Sequence, residues 1–338
     1  MIENRHIPGY FRKGKRILVT GGSGFIGTNL AARMLDKKFD VLSIDEKEPQ
    51  DVKHATVFKK IDILDAEALA KVFAEFSPSD VVHLAARTGL NGKALADYSA
   101  NTIGVANLLL AISKQSSVKR CIFTSSKLVC RTGYTPRHDK DYQPDTLYGE
   151  SKVEGEKIVR SSESLRCDWC IVRPSSIWGP WFGVPYRGFF LTVAKGLYFH
   201  PGKVNPPKSF GYVGNVVYQI EKLLEAPRDV VQGRVFYLSD YDEFTIWKWA
   251  DTISLKIGNK KVKTLPESLV KLVALSGDML KKIGVKNPSL TTFRLKNMRA
   301  DTTGIPLEPI KELTGPLPYT MEQGVDQTIT WLKDQKLV

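Results

Sequence analysis

Cysteine is scarce in this sequence: Cys121, Cys130, Cys167 and Cys170 are the only four among 338 residues. Their spacing builds no disulfide framework. Cys167-Asp-Trp-Cys170 matches C-x-x-C, but a redox pair should open a helix whose dipole lowers the thiol pKa. Here it runs into Ile171-Val172-Arg173-Pro174, a strand pattern. Cys121 and Cys130 form no second close pair, so neither a redox centre nor a metal site is expected. Long apolar runs are missing too: none reaches the roughly 20 residues that a membrane-spanning helix needs. The opening Met1-Ile-Glu-Asn-Arg-His-Ile-Pro-Gly9 lacks a signal peptide's apolar stretch. These absences predict a cytoplasmic protein without stable membrane insertion. Internal repeats, low-complexity segments, zinc-finger spacings and RNA-recognition signatures are also absent, so no nucleic-acid partner is expected. The net charge of +13, dense in the head from Arg5 to Arg16, reads as a basic surface that attracts anions, phosphorylated small molecules included.

What is present alternates in a regular way. Apolar strand patterns at Arg16–Thr20, Asp40–Asp45, 56–60, Asp80–Ala86, Lys119–Thr124 and Trp169–Arg173 are separated by helix-sized segments at 24–35, 66–76, 96–114 and 147–162. That alternation predicts an α/β fold: a doubly wound parallel Rossmann sheet with helices on both faces. Beyond Pro174 the pattern loosens into an aromatic loop, Trp178-Gly-Pro-Trp-Phe-Gly-Val-Pro185, and a mostly helical tail with segments near 213–226, 245–257, 267–283 and 320–332. The expected organisation is a dinucleotide-binding domain over 14–175, with returning segments near 212–240. A smaller, mostly helical substrate domain takes 176–211 and 241–338. The amphipathic stretch from Leu265 to Ile283 is expected to face the core rather than a membrane or partner.

Thr20-Gly-Gly-Ser-Gly-Phe-Ile-Gly27 joins the first strand to the first helix. Gly21 permits the tight turn, Gly24 lets the backbone approach a pyrophosphate, and Gly27 lets the helix lie close to the sheet. The helix N-terminus offers N–H groups and a positive dipole end to phosphates. Asp45, 18 residues beyond Gly27 at the end of the next strand, accepts hydrogen bonds from ribose hydroxyls and repels a 2′-phosphate. The cofactor read from this pattern is NAD rather than NADP.

Tyr148-Gly-Glu-Ser-Lys152 places a phenol and an ammonium on one helix face, where the cation stabilises phenolate. Such a tyrosine can take a proton from a substrate hydroxyl while hydride leaves the same carbon. A second Y-x-x-x-K, Tyr218 to Lys222, reads as an ordinary helix. The first lies just beyond the strand ending in Phe123-Thr-Ser-Ser126, where a hydroxyl can hold the substrate oxygen.

In this order the motifs resemble the extended short-chain dehydrogenase/reductases, in the NAD-dependent epimerase/dehydratase branch. The resemblance rests on Thr20–Gly27, Asp45, Asp62-Ile63, His83-Leu-Ala-Ala86, Asn101, Ser125-Ser126, Tyr148 with Lys152, Arg173-Pro174 and Gly179-Pro180. It implies a Ser126–Tyr148–Lys152 catalytic triad. It also implies an NAD site formed by Gly21, Gly24, Phe25, Ile26, Gly27, Asp45, Asp62, Ile63, Leu84, Ala85, Ala86, Asn101, Tyr148 and Lys152, with His83 structural. The implied substrate is a nucleotide sugar touching Arg87, Thr88, Ser126, Ser176, Lys208 and Arg294, with Lys296 a further candidate for its phosphates. A homodimer through the helices near 96–114 and 147–162 is implied as well.

Three positions depart from the family pattern. Cys130 replaces a tyrosine, Ser176 an asparagine, and Lys208-Ser-Phe210 with Val213-Gly-Asn215 an Arg-Asp-Phe and Val-Asp-Asp pair. Family dehydratases and decarboxylases tend to carry acids right after the triad hydroxyl, whereas Lys127-Leu128 stand here. That leaves epimerisation through a transient ketone, read as acting at C4 of a nucleotide-linked hexose, or simple oxidation or reduction at one carbon. The alternatives are one-way reduction or oxidation of a 4-keto nucleotide sugar or a sterol-like alcohol, and a cofactor-binding scaffold that has lost its chemistry.

Overall fold

The structure, a computed structural model, describes residues 14–163, 165–285 and 290–338. The basic head from Arg5 to Lys13 lies outside them.

Six strands pair in parallel: β1 (Arg16–Thr20), β2 (Asp40–Asp45), β3 (Phe58–Lys60), β4 (Asp80–His83), β5 (Arg120–Thr124) and β6 (Asp168–Pro174). The sheet order is β3-β2-β1-β4-β5-β6, with the strand Arg234–Leu238 at the β6 edge. Ile17, Leu18, Val19, Val81, Val82 and Ile122 have no exposed surface. A parallel sheet covered on both faces requires such unbroken apolar runs. The helices α1 (Phe25–Asp36), α2 (Ala66–Phe76), α3 (Ile103–Ser113) and α4 (Leu147–Arg160) lie between these strands in the chain. Strand order reverses between β2-β1 and β1-β4, so the switch point, where an open α/β sheet binds its ligand, falls at the ends of β1 and β4.

Two segments differ from the sequence expectation. The third strand begins at Phe58, because Val52–Val57 forms a 3₁₀ turn whose cap, the Asp51 carboxylate, accepts from Lys53 N. The helix expected over 96–114 is a 3₁₀ segment, Leu95–Asn101, followed by α3. The break falls beside Asn101, whose side chain is engaged elsewhere. The stretch Leu95–Ser113 has the length and apolarity of a membrane span, but this break interrupts it and Leu108, Leu109 and Ile112 are core residues.

Contacts divide the chain into two compact units. The first holds the residues up to Ser125, Ser151–Val172 and Gln219–Val235, and contains most of the sheet. The second holds Ser126–Glu150, Arg173–Tyr218 and Phe236–Val338. The segment Ser126–Glu150, placed by sequence in the dinucleotide domain, thus clusters with the second unit.

The aromatic segment buries Trp178 and Phe182 in the second unit, while its Gly183–Pro185 end is exposed. Trp178 and Trp249 are buried with ring centroids 5.1 Å apart, and Tyr212, Phe190 and Phe210 pack around them. Aromatic side chains carry large buried areas, so a few anchor a helical unit that has little sheet.

Candidate functional site

The glycine turn lies at the switch point, and its backbone is fixed from two sides. Gly21 N donates to Ile44 O at 2.8 Å, and Gly24 N to Gly21 O at 3.0 Å. Gly21 has φ +72°, and a Cβ there would sit 2.5 Å from Ala85 N. Both facts require glycine. The same contact shows that the turn touches the segment after β4: Leu84 N donates to Thr20 O, and Ala85 N to the Thr20 hydroxyl. Gly27 serves differently from expectation. A Cβ there would lie 2.2 Å from Gly21 O and 2.7 Å from Gly22 Cα, so this glycine spares the turn itself rather than helix-to-sheet packing.

Helix α1, opening with Phe25 and Ile26, has Gly24 as its N-cap with no side-chain cap, and no acid in its first turn. Its end is therefore suited to an anion. Asp45 accepts from Ser23 N at 3.1 Å and Lys47 N at 3.0 Å. Burial pushes its carboxyl above the usual range, against those two backbone donors. Asp62 is exposed and caps Leu64 N, while Ile63 is buried. These groups fit a dinucleotide: a glycine cradle, an uncapped helix end and an acid at the end of β2.

Asn101 is interior. Its amide accepts from Arg87 N at 2.9 Å and donates to Arg87 O at 3.1 Å and to Ser151 Oγ at 2.8 Å. It ties the segment after β4 to α4. Ser151, unremarked in sequence, is its partner. Beyond that tie, the Arg87 side chain and Thr88 are exposed.

His83 is fully buried, bonded to Thr20 Oγ1 at 2.7 Å, and burial lowers its pKa to about 3. It is neutral at physiological pH. Lys152 is buried as well, and its ammonium donates to Thr124 O at 2.9 Å. Burial lowers its pKa to about 8, with Glu156 pulling the other way. Tyr148, on the same helix one turn earlier, is 8 % exposed. Ser126 is buried, and its hydroxyl caps the 3₁₀ turn Lys127–Val129 by accepting from Leu128 N at 3.1 Å.

Several residues expected at the substrate have other partners. Lys208 is buried, and its ammonium donates to Asn297 O at 2.9 Å and to Ala300 O. Burial lowers its pKa to about 8. Ser176 shares a hydrogen bond with Tyr186. Asn215, at a departure from the family pattern, donates to Asp240 at 2.7 Å and to Tyr319 O at 2.9 Å. Arg173 is a structural clamp: it has no exposed surface and donates to Tyr237 Oη and Asp139 O. Arg294, on the helix Thr292–Arg299, is half-buried, and so is Lys127, which follows Ser126. All four cysteines are buried thiols. Burial pushes Cys167 up to about 11 and Cys170 up to about 12, the reverse of a redox-active pair. No group of metal-ligating side chains occurs among the described residues.

A doubly wound parallel sheet with a glycine turn at its switch point and an acid ending β2 defines a dinucleotide-binding enzyme of the short-chain dehydrogenase/reductase class. The family model described as NAD dependent epimerase/dehydratase matches residues 17–239. The chain belongs to that family and is an NAD-dependent enzyme. A similar protein from Escherichia coli O157:H7 is N-acetyl-alpha-D-glucosaminyl-diphospho-ditrans,octacis-undecaprenol 4-epimerase, 28% identical over 324 residues, 93% of this chain and 94% of that one. The 3-beta-hydroxysteroid dehydrogenase of Mycolicibacterium neoaurum is 29% identical over 264 residues, covering 72% and 71%. UDP-glucuronic acid 4-epimerase from Bacillus cereus, solved in complex with NAD, shares the fold at TM-score 0.72 and 19% identity, covering 94% and 99%.

Proposed function

We propose that this enzyme is a 4-epimerase of a hexose carried on a diphosphate, with a nucleotide sugar as substrate. Tyr148 is the general base: its phenolate takes the C4 hydroxyl proton as the C4 hydride departs, leaving a 4-keto sugar. NAD supplies the hydride acceptor and, in the second half, the donor. Return of hydride to the opposite face, with the proton handed back by Tyr148, gives the epimer and restores every group. Ser126 holds the sugar oxygen, and the Lys152 ammonium favours the phenolate. Carrying this reading is the buried Lys152 ammonium one turn after Tyr148 on α4, in a chain similar to a 4-epimerase over 93% of its length.

The test uses purified protein with no added cofactor. It is incubated with UDP-, dTDP- and GDP-hexoses and with a polyprenyl-diphospho-N-acetylhexosamine, and followed by NMR at the C4 proton. Interconversion with no accumulating NADH absorbance is expected. Conversion of the polyprenyl substrate alone would keep the reaction and replace the carrier. The likeness to a steroid dehydrogenase favours a second reading, one-way oxidation of a bulky alcohol. Stoichiometric NADH formation from a sterol, with no sugar converted, would select it.

A further inference from the structure

The helix Glu267–Lys282 carries two apolar stripes, and the fold uses one. Val270, Ala274 and Gly277 are buried, packed with Leu295 and flanked by Leu265 and Leu290. That stripe meets the need of a helix lying on a small core. At about 100° per residue, Leu272, Leu275, Met279 and Ile283 fall on the far side of the axis. They are 61%, 56%, 69% and 78% exposed. Phe293, on the next helix, is 64% exposed. The amphipathic stretch expected to face the core is therefore core on one side only. Contiguous apolar surface of this kind is uncommon on a soluble monomer and marks an interaction site.

The charges beside this face are asymmetric. Lys271, Lys281 and Lys282 are exposed. The two acids of the helix are engaged: Glu267 with the Arg299 guanidinium at 2.7 Å, and Asp278 with Thr292 N and Oγ1. The outward face thus presents aliphatic side chains bordered on one side by the exposed Lys271 and Lys282, on a chain of net charge +13.

We infer that this face docks on an anionic lipid bilayer, the helix lying in the interface with its outer stripe among the acyl chains and its lysines at the headgroups. Flexible aliphatic chains edged with lysine suit that surface. Protein interfaces are enriched in arginine, tyrosine and tryptophan and depleted of lysine. The inference is independent of the reaction assigned above, since it concerns where the enzyme sits.

Flotation of the full chain with phosphatidylglycerol–phosphatidylcholine vesicles, and with phosphatidylcholine alone, tests it. The protein should float with the anionic vesicles and be released by salt. Leu272→Asp/Met279→Asp should lower the partition coefficient at least about tenfold, from the loss of two inserted side chains. Lys271→Glu/Lys282→Glu should lose the preference for anionic lipid while keeping the apolar stripe. An unchanged thermal midpoint and NAD affinity in both variants show that the fold survives. Wild-type protein left unbound by anionic vesicles overturns the inference. So does a Leu272→Asp/Met279→Asp variant that turns a dimer into a monomer in sedimentation without changing flotation, which would make the face a subunit contact.

Discussion

Replacing Lys152 with Met should abolish activity at almost no cost in stability. Burial holds the ammonium's pKa at about 8, against an ordinary 10.5. Keeping it charged in the fold at pH 7 therefore costs about 3 kcal/mol. Methionine removes that cost but leaves the Thr124 carbonyl, now bonded at 2.9 Å, without its donor, a loss of about 1–3 kcal/mol. The two nearly cancel, so the thermal midpoint at pH 7 should stay within a few degrees. Meanwhile kcat/KM should fall by at least about a hundredfold, as for loss of a general acid–base partner. The pH dependences of wild type reinforce the point because they run in opposite directions. Between about 8 and 10.5 the unfolded chain holds a proton at this lysine that the folded chain has released. This group therefore makes stability rise with pH through that window. Activity needs the ammonium, so kcat/KM should fall above about pH 8, approaching tenfold per unit. Parallel melts and initial rates from pH 7 to 9.5 separate the two. A Lys152→Met variant that keeps activity, or an alkaline limb that tracks unfolding, refutes the reasoning.

Gly27→Ala would push a methyl group to 2.2 Å from Gly21 O; the turn must move, costing about 1–3 kcal/mol in denaturant titrations and weakening NAD binding in calorimetry. If Asp45 reads the ribose hydroxyls as its place at the end of β2 suggests, Asp45→Ala should shrink the NAD-over-NADP affinity ratio about tenfold or more; an unchanged ratio would show that it does not. Glu156→Gln deletes the charge that raises the Lys152 pKa, so the alkaline limb should move to lower pH, visible as a shifted midpoint in the rate profile. His83 is neutral in the fold down to about pH 3, whereas its unfolded form protonates near 6.5; stability should fall as pH drops through that window, by up to about 1.4 kcal/mol per unit. His83→Leu should flatten that slope in acid melts.

The parts of this molecule legible in its sequence are those set by short-range pattern. Strand β1 reads as Ile-Leu-Val because both of its faces are covered, and Gly21 reads as glycine because its φ is positive. Asp45 follows from the length of one βα unit. The parts that were not legible depend on distant segments meeting. Asn101 joins Arg87 to Ser151, and no local pattern says so. Lys208 donates to the carbonyls of Asn297 and Ala300, 89 and 92 residues further on, so a lysine at a phosphate position in the pattern becomes a strut. Trp178 is fully buried because Trp249, seventy-odd residues later, packs against it, a meeting no local pattern shows. Gly27 reads as glycine from the pattern, but the close contact with the turn's own Gly21 carbonyl is not legible there.

Lys152 and the outer stripe of the helix Glu267–Lys282 break stability rules in opposite directions. One buries a charge that folding disfavours; the other exposes aliphatic surface that folding would hide. Neither follows from local propensity, which would accept an aliphatic residue at the first place and glutamate or lysine at the second without loss to the fold. Neither change would cost the fold much. In the proposed mechanism the buried ammonium has a use one turn from Tyr148. The exposed stripe has no such use inside the molecule, because Val270, Ala274 and Leu295 already complete the core beneath it. Among the described residues nothing covers it, and the inferred bilayer contact would. The exposed Lys271 and Lys282 beside it suit the anionic surface inferred above.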